Sequence, residues 1–277
     1  MVDSFTLLEI AGTDLNSAKI LLTQGLYSQS VFYTQQCVEK ISKYIAVDSK
    51  LVSFEGLQKE ISHNSLQTFK VAITKKKDIL EILKVFNQKD QSNPFSRIID
   101  LDELPAKVSA SSQAFENINS HDLQNLDDDH LKLILEMSDD MNEHLSRLET
   151  ISLEEISGLN MDEFKSLIEK NHSPSESAKI NLTELLDIKG TNRSYFNAFF
   201  KKRLSDMAAY LRGATTIFFM SLIFCRHAVS ARYPDQKSGF NPLDHYTLKS
   251  PLINRMPAFH LKIENAIHDL KRGSLKS

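Results

Sequence analysis

Apolar residues recur along this chain at intervals of three and four, and no run alternates apolar with polar positions between hairpin turns, so the pattern predicts helices throughout. Asp14 to Gln24 carries Leu15, Ala18, Leu21 and Leu22 on one face, and Gly25 is placed to end it. From Leu26 to about Val47 a second helix sets Val31, Val38, Ile41 and Ile45 on one side and Gln36, Glu39, Lys40 and Lys43 on another. The short link makes the pair an antiparallel hairpin. A third stripe spans His63 to Phe86 through Leu66, Phe69, Ile73, Leu80 and Leu83. After a polar break from Asn87 to Pro105, helical spacing resumes from Ala106 to about Thr150, with shorter stretches over Ser152 to Asn171 and Glu176 to Ile188. The longest pattern, from Leu204 to Tyr233, stops at Pro234, and Pro257 to Lys271 gives a last amphipathic helix with Phe259, Leu261, Ile263, Ile267 and Leu270.

Composition narrows the reading. The chain has 277 residues with a net charge of only −3, which disfavours binding of nucleic acid by bulk electrostatics and leaves room for a local basic patch. Its two cysteines, Cys37 and Cys225, sit inside apolar helical patterns without the paired spacing of a zinc or redox site, and read as reduced core residues. Asp3 and Glu9 stand where a signal peptide needs basic and then apolar residues. The most apolar run, Gly213 to Cys225, falls short of the roughly 20 residues of a membrane span. These features together predict a cytoplasmic protein that has no contact with membrane.

Specific residues then suggest a family. Ala18, Leu21, Leu22, Gly25, Tyr27, Phe32, Gln35, Gln36, Glu39, Lys40 and Lys43 resemble the opening hairpin of HEPN domains, with its Gly-x-Tyr turn followed by Gln-Gln-x-x-Glu-Lys. His63 and Leu66 resemble the start of that family's third helix, and Arg232-Tyr233-Pro234-Asp235 resembles its late Arg-Tyr-Pro-Asp sequence. The resemblance implies an all-α fold, a HEPN-like antiparallel helical bundle interrupted by a helical insertion. Residues 1–86 would form the first part of the bundle, 87–203 the insertion and 204–277 the second part, because a structureless connection of that length is uncommon in a compact domain.

The resemblance also implies chemistry. Ribonucleases of this family place an Arg, a polar residue beside it and a His four to six positions beyond the Arg in a cleft shared by two protomers. Guanidinium holds phosphate there, and imidazole moves a proton. Arg226 and His227 fit the first two places, but Ala231 stands where the catalytic His is expected, so the ribonuclease motif reads as degenerate and no catalytic residue is assigned. Arg255 and His260 repeat the spacing in a different context, with Met256 and Pro257 between them, and read as a helix start with a surface histidine before a second catalytic pair. Candidate nucleotide or RNA contacts are Arg226, Arg232, Tyr233, Gln36, Glu39, Lys40 and Lys43. The last four read equally as a solvated face with intrahelical pairs. Tyr233 is the candidate for nucleotidylation, against a packing role at the helix end. His121, Asp122 and Asp127 to His130 read as capping groups before metal ligands, so no metal is expected.

The expected function is therefore that of a HEPN protein binding nucleotide or RNA without efficient cleavage, with no cofactor required. It would pair as a homodimer near Tyr33, Gln36 and the long helix, and partner a nucleotidyltransferase in a toxin–antitoxin or stress system. Two alternatives remain: a helical dimerisation scaffold whose insertion recruits a protein, and a metal-independent endoribonuclease.

Overall fold

A computed structural model describes residues 4–75, 126–150, 193–235 and 239–274, and the fold is all-α. Among the described residues the helices are α1 (Phe5–Thr23), α2 (Tyr27–Asp48), α3 (Leu57–Glu60), α4 (Ser65–Lys75), α5 (Asp128–Ser146), α6 (Arg193–Phe224), α7 (His227–Ser230), α8 (Pro242–His245) and α9 (Pro251–Arg272), with a 3₁₀ turn at Arg147–Thr150. The stretches expected to be helical at 152–171 and 176–188 lie outside these residues, as does the end of the third helix.

The α1–α2 hairpin forms where the pattern places it, although α1 begins nine residues before Asp14. Gly25 takes a left-handed φ of 73°, which lets its N–H reach Leu22 O and the Leu26 N–H reach Leu21 O at 2.9 Å. This double bond satisfies carbonyls that the helix end would otherwise orphan, and it turns the chain within three residues. Ser30 Oγ then donates to Ala18 O at 2.8 Å across the hairpin. Val31, Val38, Ile41 and Ile45 are all buried.

Cross-helix pairs set the directions of the bundle. Gly213 of α6 lies against Ala266 and Leu270 of α9, Arg212 binds Asp269, and Phe224 meets Phe259 edge-on at 5.6 Å, so α6 and α9 are antiparallel. Thr34 meets His260 and Asp48 meets Ser274, so α2 and α9 run in the same direction. Ser42 of α2 faces Ser221 of α6. The core between them holds Tyr44, Ile217, Met220, Ile223, Met256 and Ile263.

α5, which lies within the stretch expected as an insertion, packs into this same core. Leu131 and Leu135 are buried in it, Asn142 Nδ2 donates to Thr216 at 2.9 Å, and Arg255 binds Asp128 through two nitrogens at 2.6 and 2.7 Å. Lys262 pairs with Asp139. Arg212 is shared between Asp269 and Glu149 of the 3₁₀ turn, and Arg272 also reaches Glu149. α6 itself starts at Arg193 and crosses the expected boundary at 203/204 as one continuous helix. The segment Lys201–Phe224 is long and apolar enough to cross a bilayer by length and composition, and most of it is buried in the bundle.

Three expectations about the helices need correction. The long helix does not continue to Tyr233; it ends at Phe224, and a turn at Cys225 and Arg226 precedes α7. The last helix starts at Pro251, with Pro257 inside it, because proline suits its first turn and the absent Pro257 N–H is tolerated at the surface. Leu261 is 58% exposed, outside the core.

Gly273→Ala is expected to destabilise the fold by about 2 kcal/mol, because its Cβ would strike Asp206 O and come within 2.6 Å of Tyr210 N, both backbone atoms that cannot swing aside. Urea unfolding measures this. Replacing residues 87–192 by a Gly/Ser linker is expected to cost about 4 kcal/mol or more, from the loss of two buried leucines, so a melt of the deletion variant should fall well below that of the full chain.

Candidate functional site

Arg226 follows the end of α6 and precedes the single turn of α7, which aims its residues toward α8. Asn241 accepts from the Leu243 N–H at 3.2 Å and Pro242 opens α8, so this tight cap turns His245 and Tyr246 back over His227. Asp235 and Phe240 bridge backbone to backbone at 2.9 and 3.1 Å and close the loop between them. The result is a cleft of about 660 Å³ lined by Arg226, His227, Ser230, Tyr233, His245 and Tyr246 together with Val229, Pro234, Asp235 and Phe240.

Within it, His227 Nδ1 lies 2.8 Å from Tyr246 Oη, Tyr246 Oη lies 3.1 Å from Ser230 Oγ, and Ser230 Oγ donates to Arg226 O at 3.2 Å. Burial, with His245 nearby, lowers His227 to about 4, and burial pushes the Tyr246 hydroxyl up to about 12. Burial also lowers His245. At neutral pH the imidazole and phenol are therefore uncharged. Arg226 has no carboxylate partner among the described residues, whereas Arg147, Arg212, Arg255 and Arg272 each have one.

The structure brings only some of the sequence candidates together. Arg226, His227 and Tyr233 share the cleft. Arg232 lies at its edge, stacked at 4.7 Å over Phe32 and 5.1 Å over Tyr233. Tyr233 is 56% exposed, so it does not pack at a helix end. Ala231, at the place of the missing histidine, is buried in the core cluster. Because the long helix has ended before Arg226, the angles of one continuous helix do not apply across Arg226, His227 and Ala231.

The α2 candidates lie elsewhere and already have partners. Gln36 donates to Gln35 Oε1 at 2.7 Å, and Lys40 binds Asp14 at 2.6 Å. Glu39 is buried, which removes the alternative of a solvated face at that position. Its burial would raise the carboxyl, but Lys43 at 2.7 Å, with Gln35 and His63, holds it below the usual range. Arg255 is committed to Asp128, and His260 is buried against Thr34 Oγ1 at 2.9 Å, so the expected surface histidine is a core residue. Asp127 caps α5, accepting from the His130 N–H at 2.9 Å.

Ser230, His245 and Tyr246 were missed because their neighbourhood depends on the return of the chain at 241–246. The Asn-Pro pair at 241 and 242 was the one local signal of that turn.

His227 and His260 generate a pH prediction. Burial, then the Lys19 charge, lowers His260 to about 4. Both groups bind protons more readily unfolded than folded, so stability is full above about pH 6.5 and is lost as pH falls toward 4, by up to about 3 kcal/mol for each. Thermal melts from pH 7.5 to 4.5 should decline, and should decline less steeply in the double variant His227→Gln, His260→Gln.

No curated protein and no solved structure matches the chain. A family model, that of the HEPN domain, matches residues 6–111, which takes in α1 to α4 and leaves the cleft beyond its end. The matched segment contains the Gly25-x-Tyr27 turn and the Gln35-Gln36-x-x-Glu39-Lys40 series on a hairpin of the expected geometry, so over residues 6–111 the chain is similar to the HEPN domain.

Proposed function

We propose that the cleft around Arg226 binds a nucleotide, free or as a unit of an RNA strand, and does not cleave RNA efficiently. The observation that carries this reading is a guanidinium with no carboxylate partner among the described residues, in a cleft bordered by three aromatic rings, Tyr233, Phe240 and Tyr246. Guanidinium suits a phosphate bidentately, and aromatic faces suit a base. A volume of about 660 Å³ lies in the range of small-molecule sites. The match of residues 6–111 to the HEPN domain supports a nucleotide- or RNA-related role in general terms.

Weak cleavage follows from the proton inventory. Ala231 supplies no proton, and a histidine there would have to enter a packed core. A homodimer pairing near Tyr33 and Gln36, and a nucleotidyltransferase acting on the exposed Tyr233, belong to the same proposal. The scaffold reading draws support from a different place: Leu133, Met137 and Met141 are 54%, 50% and 51% exposed at successive turns of α5.

Isothermal titration of the full chain with AMP tests the proposal. Arg226→Ala is expected to weaken binding at least tenfold with the melting temperature unchanged, since Arg226 has no carboxylate partner to orphan among the described residues. Incubation with single-stranded RNA should leave the strand intact; cleavage that disappears in Arg226→Ala would establish the endoribonuclease instead.

A further inference from the structure

The three contacts that run from the Arg226 carbonyl to the His227 ring have a direction. Ser230 Oγ lies 3.2 Å from Arg226 O, Tyr246 Oη lies 3.1 Å from Ser230 Oγ, and His227 Nδ1 lies 2.8 Å from Tyr246 Oη. A carbonyl oxygen can only accept, so the first contact takes the one proton of Ser230. The second contact must then take the one proton of Tyr246. The third is left to the imidazole, which must donate from Nδ1. Any other assignment leaves at least one of these contacts as two oxygens, or an oxygen and a nitrogen, facing each other without a proton, in a place where buried polar groups are costly to leave unpaired.

We infer that Ser230 and Tyr246 are positioning residues that hold His227 in the Nδ1–H tautomer, so that Nε2 offers a lone pair to the cleft and accepts a hydrogen bond from a ligand hydroxyl beside the phosphate at Arg226. The ring is uncharged near neutral pH, as its burial requires. Nε2 has no hydrogen-bond partner among the described residues, and His227 lines the cleft. The ligand class that matches an acceptor next to a guanidinium is an anion carrying a neighbouring hydroxyl, which a ribonucleotide has and a 2′,3′-dideoxynucleotide lacks. The inference rests on the reading of the cleft as a nucleotide site only for this ligand preference; the tautomer is a property of the unliganded chain.

The test is a long-range ¹⁵N–¹H spectrum of the full chain without ligand, with the His227 signals assigned by their loss in His227→Gln. The wild type is expected to show Nδ1 protonated and Nε2 bare. Ser230→Ala removes the acceptor for the Tyr246 proton, which then turns to His227 Nδ1 and drives the ring to the Nε2–H form; Ser230→Thr, which keeps a hydroxyl, should retain the wild-type tautomer. A wild-type ring with Nε2 protonated, or a ring indifferent to Ser230→Ala, overturns the inference. Tyr246→Phe is a second variant that should also release the Nδ1–H form, should Ser230→Ala fail to fold. Titration then compares AMP with 2′,3′-dideoxy-AMP. A preference for AMP of about tenfold, lost in Ser230→Ala, supports the acceptor role. Equal binding of the two overturns that role, and failure of both to bind a chain with the expected tautomer overturns the nucleotide site alone.

Discussion

The bundle depends on how closely α6 and α9 approach. Two glycines permit it: at Gly213 a Cβ would meet Ala266 O at 2.9 Å, and at Gly273 it would meet the backbone of α6. Between these points Arg212 bridges Asp269 and Glu149, so the contact is apolar along its length and ionic at one edge. A desolvated guanidinium shared between two carboxylates is costly to break from either side, because removing one partner leaves a charge poorly compensated. The approach fixes where α6 ends relative to the start of α9, and the segment that joins them, with α7 and α8, lines the cleft. Its side chains are therefore set by a helix pair whose tightest contact is at the opposite end.

The sequence was most informative where structure is local. The α1–α2 hairpin needs only a glycine in the left-handed region and one apolar stripe per helix, and both can be read from spacing. The stop at Phe224 could not be read, since the apolar pattern continues through Val229 and Ala231 and no glycine or proline marks the turn. The same limit applies to the site. Arg226, His227 and Tyr233 were found because they are neighbours in the chain, whereas Tyr246 reaches His227 through a loop whose course depends on packing. Charge pattern misled on α2: the residues at Gln36, Glu39, Lys40 and Lys43 look like a solvated face, but α1 and the turn at His63 close over them.

α5 shows how a helix beyond the segment matched by the family model can share the core of the bundle. Its inner face supplies Leu131 and Leu135, its rim is tied to α9 by Arg255 and Lys262, and its outer face carries the exposed Leu133, Met137 and Met141. One helix thus presents two apolar surfaces, which doubles its value to the chain: loss of the inner one loosens the bundle, and changes on the outer one leave the cleft untouched. Met side chains adapt to varied contacts, so the outer surface can change partners without a change in fold.

The contacts of Thr34 with His260 and of Asp48 with Ser274 join residues 226 positions apart in both cases. During synthesis the first hairpin leaves the ribosome long before its partner on α9 exists, by on the order of 10–50 s at ordinary elongation rates. For that interval Val38, Ile41 and Ile45 lack the part of their cover that α6 and α9 supply, and the loop that must close to complete it is nearly as long as the chain. The nascent protein therefore has a hairpin formed early and a core completed last, and its exposure to chaperones or to misassembly is concentrated in the time between.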